Sequence, residues 1–346
     1  MGWDKGISKQ TSIGAEESGG YALERYTDDL RQEWDAFVRE GKNTTFLFLR
    51  DYMDYHNDRF QDHSVVVYSE GQIAALLPAN ICDSETAASH AGLTYGGLIL
   101  RRSAMLYEVL EILHHILAYY HSQGISRLLY KKIPSFYNTL PDDDVSYGLF
   151  LLGARLYRRD CALVVNQEDR LRFSKCRRRW MAKGQRLGVQ VRQDPSFAPF
   201  WEQVLVPRLA TRYHVRPTHS IEEITLLAFR FPENIKQFSA YYNNEIVAGA
   251  TIYETPTVAH AQYIAVSEKG AMVGALDYLF GWLIEERYKA KKYFDFGICN
   301  ERDSRLLNPG LLHWKQGFSA RACAHDFYEI LTERYHELEP ALQSRL

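Results

Sequence analysis

The chain has 346 residues, 46% of them hydrophobic and 24% charged, with a formal net charge of −2. That length suits two cores better than one, and the near-neutral charge excludes a global field that would draw in nucleic acid or acidic membranes. The five cysteines, Cys82, Cys161, Cys176, Cys299 and Cys323, include no Cys-x-x-Cys spacing, which argues against a disulfide framework or a zinc knuckle and for a reducing, cytoplasmic setting.

Residues 1–20 are polar and rich in Gly and Ser, and read as a disordered leader rather than a signal peptide. Residues 27–40 carry Leu30, Trp34, Phe37 and Val38 at helical spacing, and residues 46–55 predict a second, short helix. Residues 64–68 and 72–78 predict a hairpin turning at Glu70-Gly71-Gln72, followed by a polar stretch at 82–89. A helix is expected from Ser103, as N-cap, to about His121, stopped by Gly124. A strand at 126–133, a helix opened by Pro141 and Asp142-Asp143-Asp144, and a strand at 154–165 follow. Residues 170–186 predict a basic helix, and 192–232 read as mostly helical. The order then returns: a hairpin at 238–254, a strand at 260–267, a helix at 271–288, a strand at 292–298, a helix near 309–318 and a last strand at 321–331. Each half thus reads β-β-β-α-β-α-β, a mixed sheet flanked by helices. No apolar run is long enough to span a bilayer.

Sequence identities support a duplication. Ala154-Arg155 and Asp160 recur at one constant spacing as Ala320-Arg321 and Asp326, and at that spacing Leu128 falls on Phe294. The fold class is therefore α/β with tandem duplicated lobes, divided as 21–169, a basic and helical interlobe segment at 170–235, and 236–346. Where two copies differ, the difference points to the working one.

Such a difference lies at Ser267, Lys269, Gly270, Ala271 and Gly274. A strand feeding a helix through glycines can aim free N–H groups at a pyrophosphate, with the helix dipole in support. The equivalent turn of the first half, Leu100–Ala104 in position, has no glycine. His90, Thr94 and Tyr95 in the first half and Glu254, His260, Gln262 and Tyr263 in the second are candidates for proton transfer or for gripping a polar substrate. His260 and Gln262 share one strand face. Arg177 and Arg178 belong to a basic helix whose natural partner is phosphate. His114-His115 and the pair His214 and His219 lack metal-ligand spacing, so no metal is expected.

The stretch Tyr293-Phe294-Asp295-Phe296-Gly297, followed by Gly310-Leu311-Leu312-His313-Trp314-Lys315-Gln316-Gly317-Phe318, resembles a signature of the GNAT acyltransferase superfamily, in its tandem-lobe Fem-type and BioF2-like branch. Trp314 stands where that pattern has Phe, and Ser319 where it has Gly. The resemblance implies an N-acyltransferase. It would move an acyl group from acetyl-CoA or another acyl-CoA to an amine, such as that of an amino sugar or nucleotide-linked sugar, in the cleft between the lobes. It implies that Lys315, whose counterpart by spacing is Leu149, stabilises the developing oxyanion. Two alternatives remain open: a Fem-like aminoacyl-tRNA-dependent transferase, the one reading with a tRNA partner, and a non-catalytic binding module. DNA is not an expected partner.

Overall fold

The structure, a computed structural model, describes residues 20–343; the expected leader lies outside the described residues except for Gly20. The strands in chain order are β1 Tyr21–Arg25, β2 Val65–Ser69, β3 Gln72–Leu77, β4 Asn80–Asp83, β5 Thr86–Ala88, β6 Ile99–Leu100, β7 Arg127–Lys131, β8 Arg155–Asn166, β9 Gln190–Asp194, β10 Ile235–Tyr242, β11 Glu245–Glu254, β12 Val258–Val266, β13 Tyr293–Ile298, β14 Asn300–Glu301, β15 Leu306–Leu307 and β16 Arg321–Leu331. Four of them form an antiparallel sheet, β1-β2-β3-β6. Ten form a mixed sheet in the order β4-β5-β7-β16-β8-β13-β12-β11-β10-β9, and β14 pairs with β15. The expected mixed α/β architecture, a large sheet flanked by helices, is present.

The copied hairpins match down to their irregularities. β2-β3 turns through Glu70 and Gly71, both at positive φ, and β10-β11 turns through Asn243 and Asn244, also both at positive φ. That is the two-residue turn whose twist suits adjoining antiparallel strands. Each hairpin also carries a bulge at the same place relative to its turn, at Val67/Tyr68 and at Ala240/Tyr241.

The strongest mark of duplication is the pairing of the two closing strands. β8 and β16 run antiparallel, with Asp160 opposite His325 and Arg159 opposite Asp326. Asp160 and Asp326 are the residues related by the sequence repeat, so a local two-fold axis passes between these strands. Each closing strand also pairs with the other half: β16 lies beside β7, and β8 lies beside β13. The halves are therefore joined by backbone hydrogen bonds. An aromatic core joins them again, where Phe46 meets Phe231 and Tyr253 at ring-centroid distances of 5.4 and 5.6 Å. These contacts fix the cleft between the halves.

Several local expectations need correction. The long helix is Leu106–Ser122 with Met105 as N-cap and no side-chain cap, so Ser103 does not cap it. The polar stretch at 82–89 is part of the β4-β5 hairpin, whose second strand pairs parallel to β7. Residues at the start of the expected helical segment form β9, the edge strand on β10. Here tertiary pairing overrides local preference. The helix expected at 271–288 is broken: Gly274 takes φ +76° between helices Glu268–Val273 and Ala275–Trp282, and the helical segment ends in a π-turn at Leu283–Arg287.

Candidate active site

The site arises where two parallel strands separate. β12 and β13 pair through Val258↔Tyr293, Ala259↔Phe294 and His260↔Asp295, and through no later residue. Beyond that point both strands continue, and β13 also loses register with β8 between Asp295 and Ile298. Ladder partners are thus missing for backbone groups just past Asp295, and side chains replace them. The Gly297 N–H donates to Asp295 Oδ1 at 2.7 Å. The carbonyls of Gly297 and Ile298 accept from Lys315 Nζ at 3.0 and 2.6 Å. A freed backbone group inside a protein needs such a partner.

Lys315 comes from the helix Pro309–Gln316, which Asn308 caps by accepting from the Leu311 N–H at 2.9 Å. Trp314 packs on Phe296 and Phe318 at 5.4 Å from each and so presses this helix onto β13. That turns the neighbouring Lys315 into the splay, where it is only 3% exposed. Burial pushes its ammonium down to about 8, against the pull of Asp295. Two of its three protons serve carbonyls and one remains for a ligand.

His260 and Asp295 face each other because they are register partners. His260 Nδ1 lies 2.7 Å from Asp295 Oδ2, and Tyr137 donates its hydroxyl to the same oxygen at 3.1 Å. Burial works against ionising Asp295, but His260, the Gly297 N–H and Lys315 hold its carboxyl below the ordinary value. On the other side of the ring, Nε2 lies 3.1 Å from Gln262 Oε1. With the Nδ1 proton given to Asp295, the lone pair falls on Nε2; the Gln262 amide, whose O and N positions are interchangeable, then turns its NH2 to that lone pair until an amine takes its place. This is the orientation a general base needs.

These groups open into a cavity of about 540 Å³, walled by β7, β8, β16, β13 and β12. Thr94, Tyr95, His260, Gln262 and Lys315 line it, so five expected residues meet in one place. Asp295, Lys131, Arg158, Asp160 and His325 line it too and were not expected. Asp295 lay inside the motif that drew attention to Lys315. The alternation of β13 puts Asp295 and Gly297 on one face, but its pairing with His260 is a matter of register between strands.

The other expected residues lie elsewhere. His90 is buried against His56 and Phe60, with ring centroids at 5.5 and 5.6 Å, and lies outside the cavity. Glu254 is a buried ion-pair centre for Lys236, Arg287 and Lys291 and accepts from Tyr288 at 2.8 Å. Tyr263 points to the opposite face of β12, where its hydroxyl lies 2.5 Å from His219 Nδ1. Arg177 pairs with Asp277, and Arg178 Nε donates to the Phe173 carbonyl at 3.1 Å. In the glycine turn the Gly270 N–H goes to Ser267 Oγ at 3.1 Å, the Ala271 N–H to the Ser267 carbonyl at 2.9 Å, and Lys269 pairs with exposed Glu245 at 2.6 Å. The turn's donors are largely used internally.

Packing explains the glycines there. A Cβ on Gly270 would lie 2.3 Å from the Val247 carbonyl oxygen, and one on Gly274 would lie 2.6 Å from that of Trp180. Gly270→Ala is therefore expected to lower the unfolding free energy of the ligand-free protein by about 1–3 kcal/mol, readable by urea titration. An unchanged midpoint would remove the packing explanation.

Among the described residues, no group of three or more His, Cys, Asp or Glu is placed to hold a metal ion, and no helix is long and apolar enough to cross a membrane.

By sequence the chain matches no family model and no curated protein. By structure it is similar to FemX, with a TM-score of 0.64 at 12% identity, over 91% of this chain and 99% of that one. It is similar to L-PGS from Bacillus licheniformis, with a TM-score of 0.55 at 14% identity, over 97% and 100% of the two chains. The C-terminal DUF2156 domain of a protein classed as a lysylphosphatidylglycerol synthetase in Agrobacterium fabrum gives 0.57 at 14% identity, over 90% and 95%. The fold is the one these three structures share, a Fem-type fold.

Proposed function

We propose that the protein is an acyltransferase that joins an activated acyl group to an amine in the cavity at the splay of β12 and β13, between an N-terminal lobe at 21–169 and a C-terminal lobe at 236–346. The observation that carries this reading is the convergence of Lys315 and the His260–Asp295 pair on one cavity. The amine nitrogen attacks the acyl carbon. His260 takes the amine's proton, and Asp295 offsets the imidazolium charge. Lys315 holds the oxygen as it becomes negative. Collapse of the tetrahedral intermediate expels the thiolate or alkoxide of the donor and leaves an amide. A cytoplasmic location belongs to the same reading.

The first donor to test is acetyl-CoA; a second cavity of about 210 Å³, which shares Ile264 and Leu311 with the main one, is the candidate channel for its pantetheine arm. The second reading, an aminoacyl ester carried by tRNA, is favoured by one observation: the turn that would seat a CoA pyrophosphate already spends the N–H groups of Gly270 and Ala271 on Ser267. Transfer assays with radiolabelled acetyl-CoA and with charged tRNA, against a panel of amino sugars and amines, decide between them. Ribonuclease sensitivity marks the tRNA donor. If neither donor is consumed and Lys315→Ala changes no measured property beyond stability, the protein is a binding module.

Asp295→Asn is expected to lower kcat by on the order of 10²–10⁴-fold by losing the charge that offsets the imidazolium and fixes its tautomer. Steady-state kinetics check this; a change of less than fivefold would remove Asp295 from the machinery.

A further inference from the structure

The catalytic groups occupy one end of the cavity, and the other end is also charged. Lys131, Phe327 and Arg158 lie side by side on β7, β16 and β8, since Phe327 is the register partner of both. His325 and Asp160 follow two residues along on the same face and are partners of each other. The local two-fold axis runs through this pairing, so the repeat that built the fold also placed these five residues together.

The charges at this end do not balance. Lys131 Nζ donates to the carbonyls of Ala91, at 3.0 Å, and Leu93, and among the described residues it has no carboxylate within ion-pair distance. Asp160 is fully engaged: Arg158 grips it through Nε and Nη2 at 3.0 and 2.8 Å, and Ser304 donates to it as well. Arg158 also lies over the Phe327 ring at 4.6 Å, which holds its guanidinium at the cavity floor. His325 is 5% exposed, and its Nε2 is buried without a hydrogen-bond partner among the described residues. Two cations, one carboxylate and one open imidazole nitrogen make a site short of negative charge. Buried charge without a partner is costly, so such a site favours an anion.

We propose that Lys131, Arg158 and His325 form an anion seat for a carboxylate or phosphate carried by the amine acceptor, and that the seat orients the amine toward His260 and Lys315. The inference rests on the acyl-transfer reading for the word acceptor; the seat itself rests on the geometry of β7, β16 and β8. The donor would enter from the opposite side, past Ile264 and Leu311. The acceptor would then be an amine with an acidic group at the other end, such as an amino acid, a peptide terminus or a phosphorylated amino sugar. Guanidinium and ammonium groups bind both kinds of anion by charge-assisted hydrogen bonds.

The test is titration calorimetry with sodium pyrophosphate and with sodium glutarate, each against sodium chloride at matched ionic strength. The wild-type protein is expected to bind at least one of them, with affinity reduced tenfold or more in Arg158→Gln and in Lys131→Met. Binding of pyrophosphate alone assigns a phosphorylated acceptor, and binding of glutarate alone assigns a carboxylate. Arg158 is 36% exposed in its side chain, so Arg158→Gln stays interpretable if Lys131→Met does not fold. Absence of binding by both anions, or binding that survives Arg158→Gln unchanged, overturns the proposal. Anion binding without acyl transfer from any donor would sink the transfer reading and leave the seat in place; transfer without an anion site would do the reverse.

Discussion

Lys315→Ala is expected to reduce turnover on the order of 10²–10³-fold, the loss typical when one preorganised oxyanion donor is removed. The substitution also removes the partner of two carbonyls, Gly297 and Ile298, so some loss of stability will accompany it. Two measurements separate chemistry from folding. The first is rescue: the cavity of about 540 Å³ leaves room for ethylammonium, which should restore part of kcat in Lys315→Ala and do nothing for the wild type. The second is the pH profile. Burial holds Lys315 at about 8, so its ammonium is lost as pH rises through that value, and wild-type kcat should fall on that limb. With the amine subsaturating, the rescued rate follows the concentration of free ammonium, so the limb should move up toward the ordinary alkylamine value of ~10.4. Lys131, also held at about 8 by burial, would titrate over the same range, but as part of the anion seat it should act on KM for the acceptor. A merely structural lysine would give a lower melting temperature, no rescue and no moving limb.

The parts of this site that could be read from the sequence were those carried by periodicity and by a contiguous motif. β16 was expected at 321–331 and is Arg321–Leu331. The helix bearing Lys315 and the strand bearing His260 and Gln262 were likewise expected within a residue or two of where they lie. Pairing partners were not readable. Nothing local in Arg158, Asp160, His325 or Lys131 says that three strands from two distant segments will align them, because register is set by the assembled sheet. The repeat did contain the clue: Asp160 and Asp326 were noticed as equivalents, and equivalents on antiparallel neighbours must face each other across an axis. The same limit explains the residues that lie elsewhere. Tyr263 neighbours Gln262 in sequence and so falls on the opposite face of β12. Glu254 reads as a catalytic carboxylate until Lys236, Arg287 and Lys291 are seen around it. Gly270 and Gly274 look like a phosphate loop until Val247 and Trp180 are found against them.

The aromatic and histidine-rich packing that holds the halves together makes a second large prediction, a steep loss of stability in mild acid. Burial is the main cause that pushes His90 down to about 3, and His219 and His325 to about 4. In the unfolded chain each titrates near 6.5. A folded value below the unfolded one means that the neutral form is favoured by folding. The stability this contributes is complete above about pH 6.5 and is lost as pH falls toward 4. Between pH 6.5 and 4.5 each histidine then costs roughly 2–3 kcal/mol, so three together approach the whole stability of a typical domain, about 5–15 kcal/mol. Asp277 works the other way, since burial raises its carboxyl to about 6 despite Arg177, but it is one group against three. Scanning calorimetry should show a melting temperature that drops sharply between pH 6.5 and 4.5, with about three extra protons taken up on unfolding near pH 5: one at each of these histidines and one at His63, which burial also holds at about 4, less the one that Asp277 releases. His219→Gln should remove one of those protons. So should His325→Gln, and for the wild type an anion bound at Lys131 and Arg158 should raise the His325 value and soften the acid loss. A melting temperature flat from pH 7 to 5 would mean that these imidazoles reach water, and at His325 that water would lie in the cavity it shares with Lys315 and the His260–Asp295 pair.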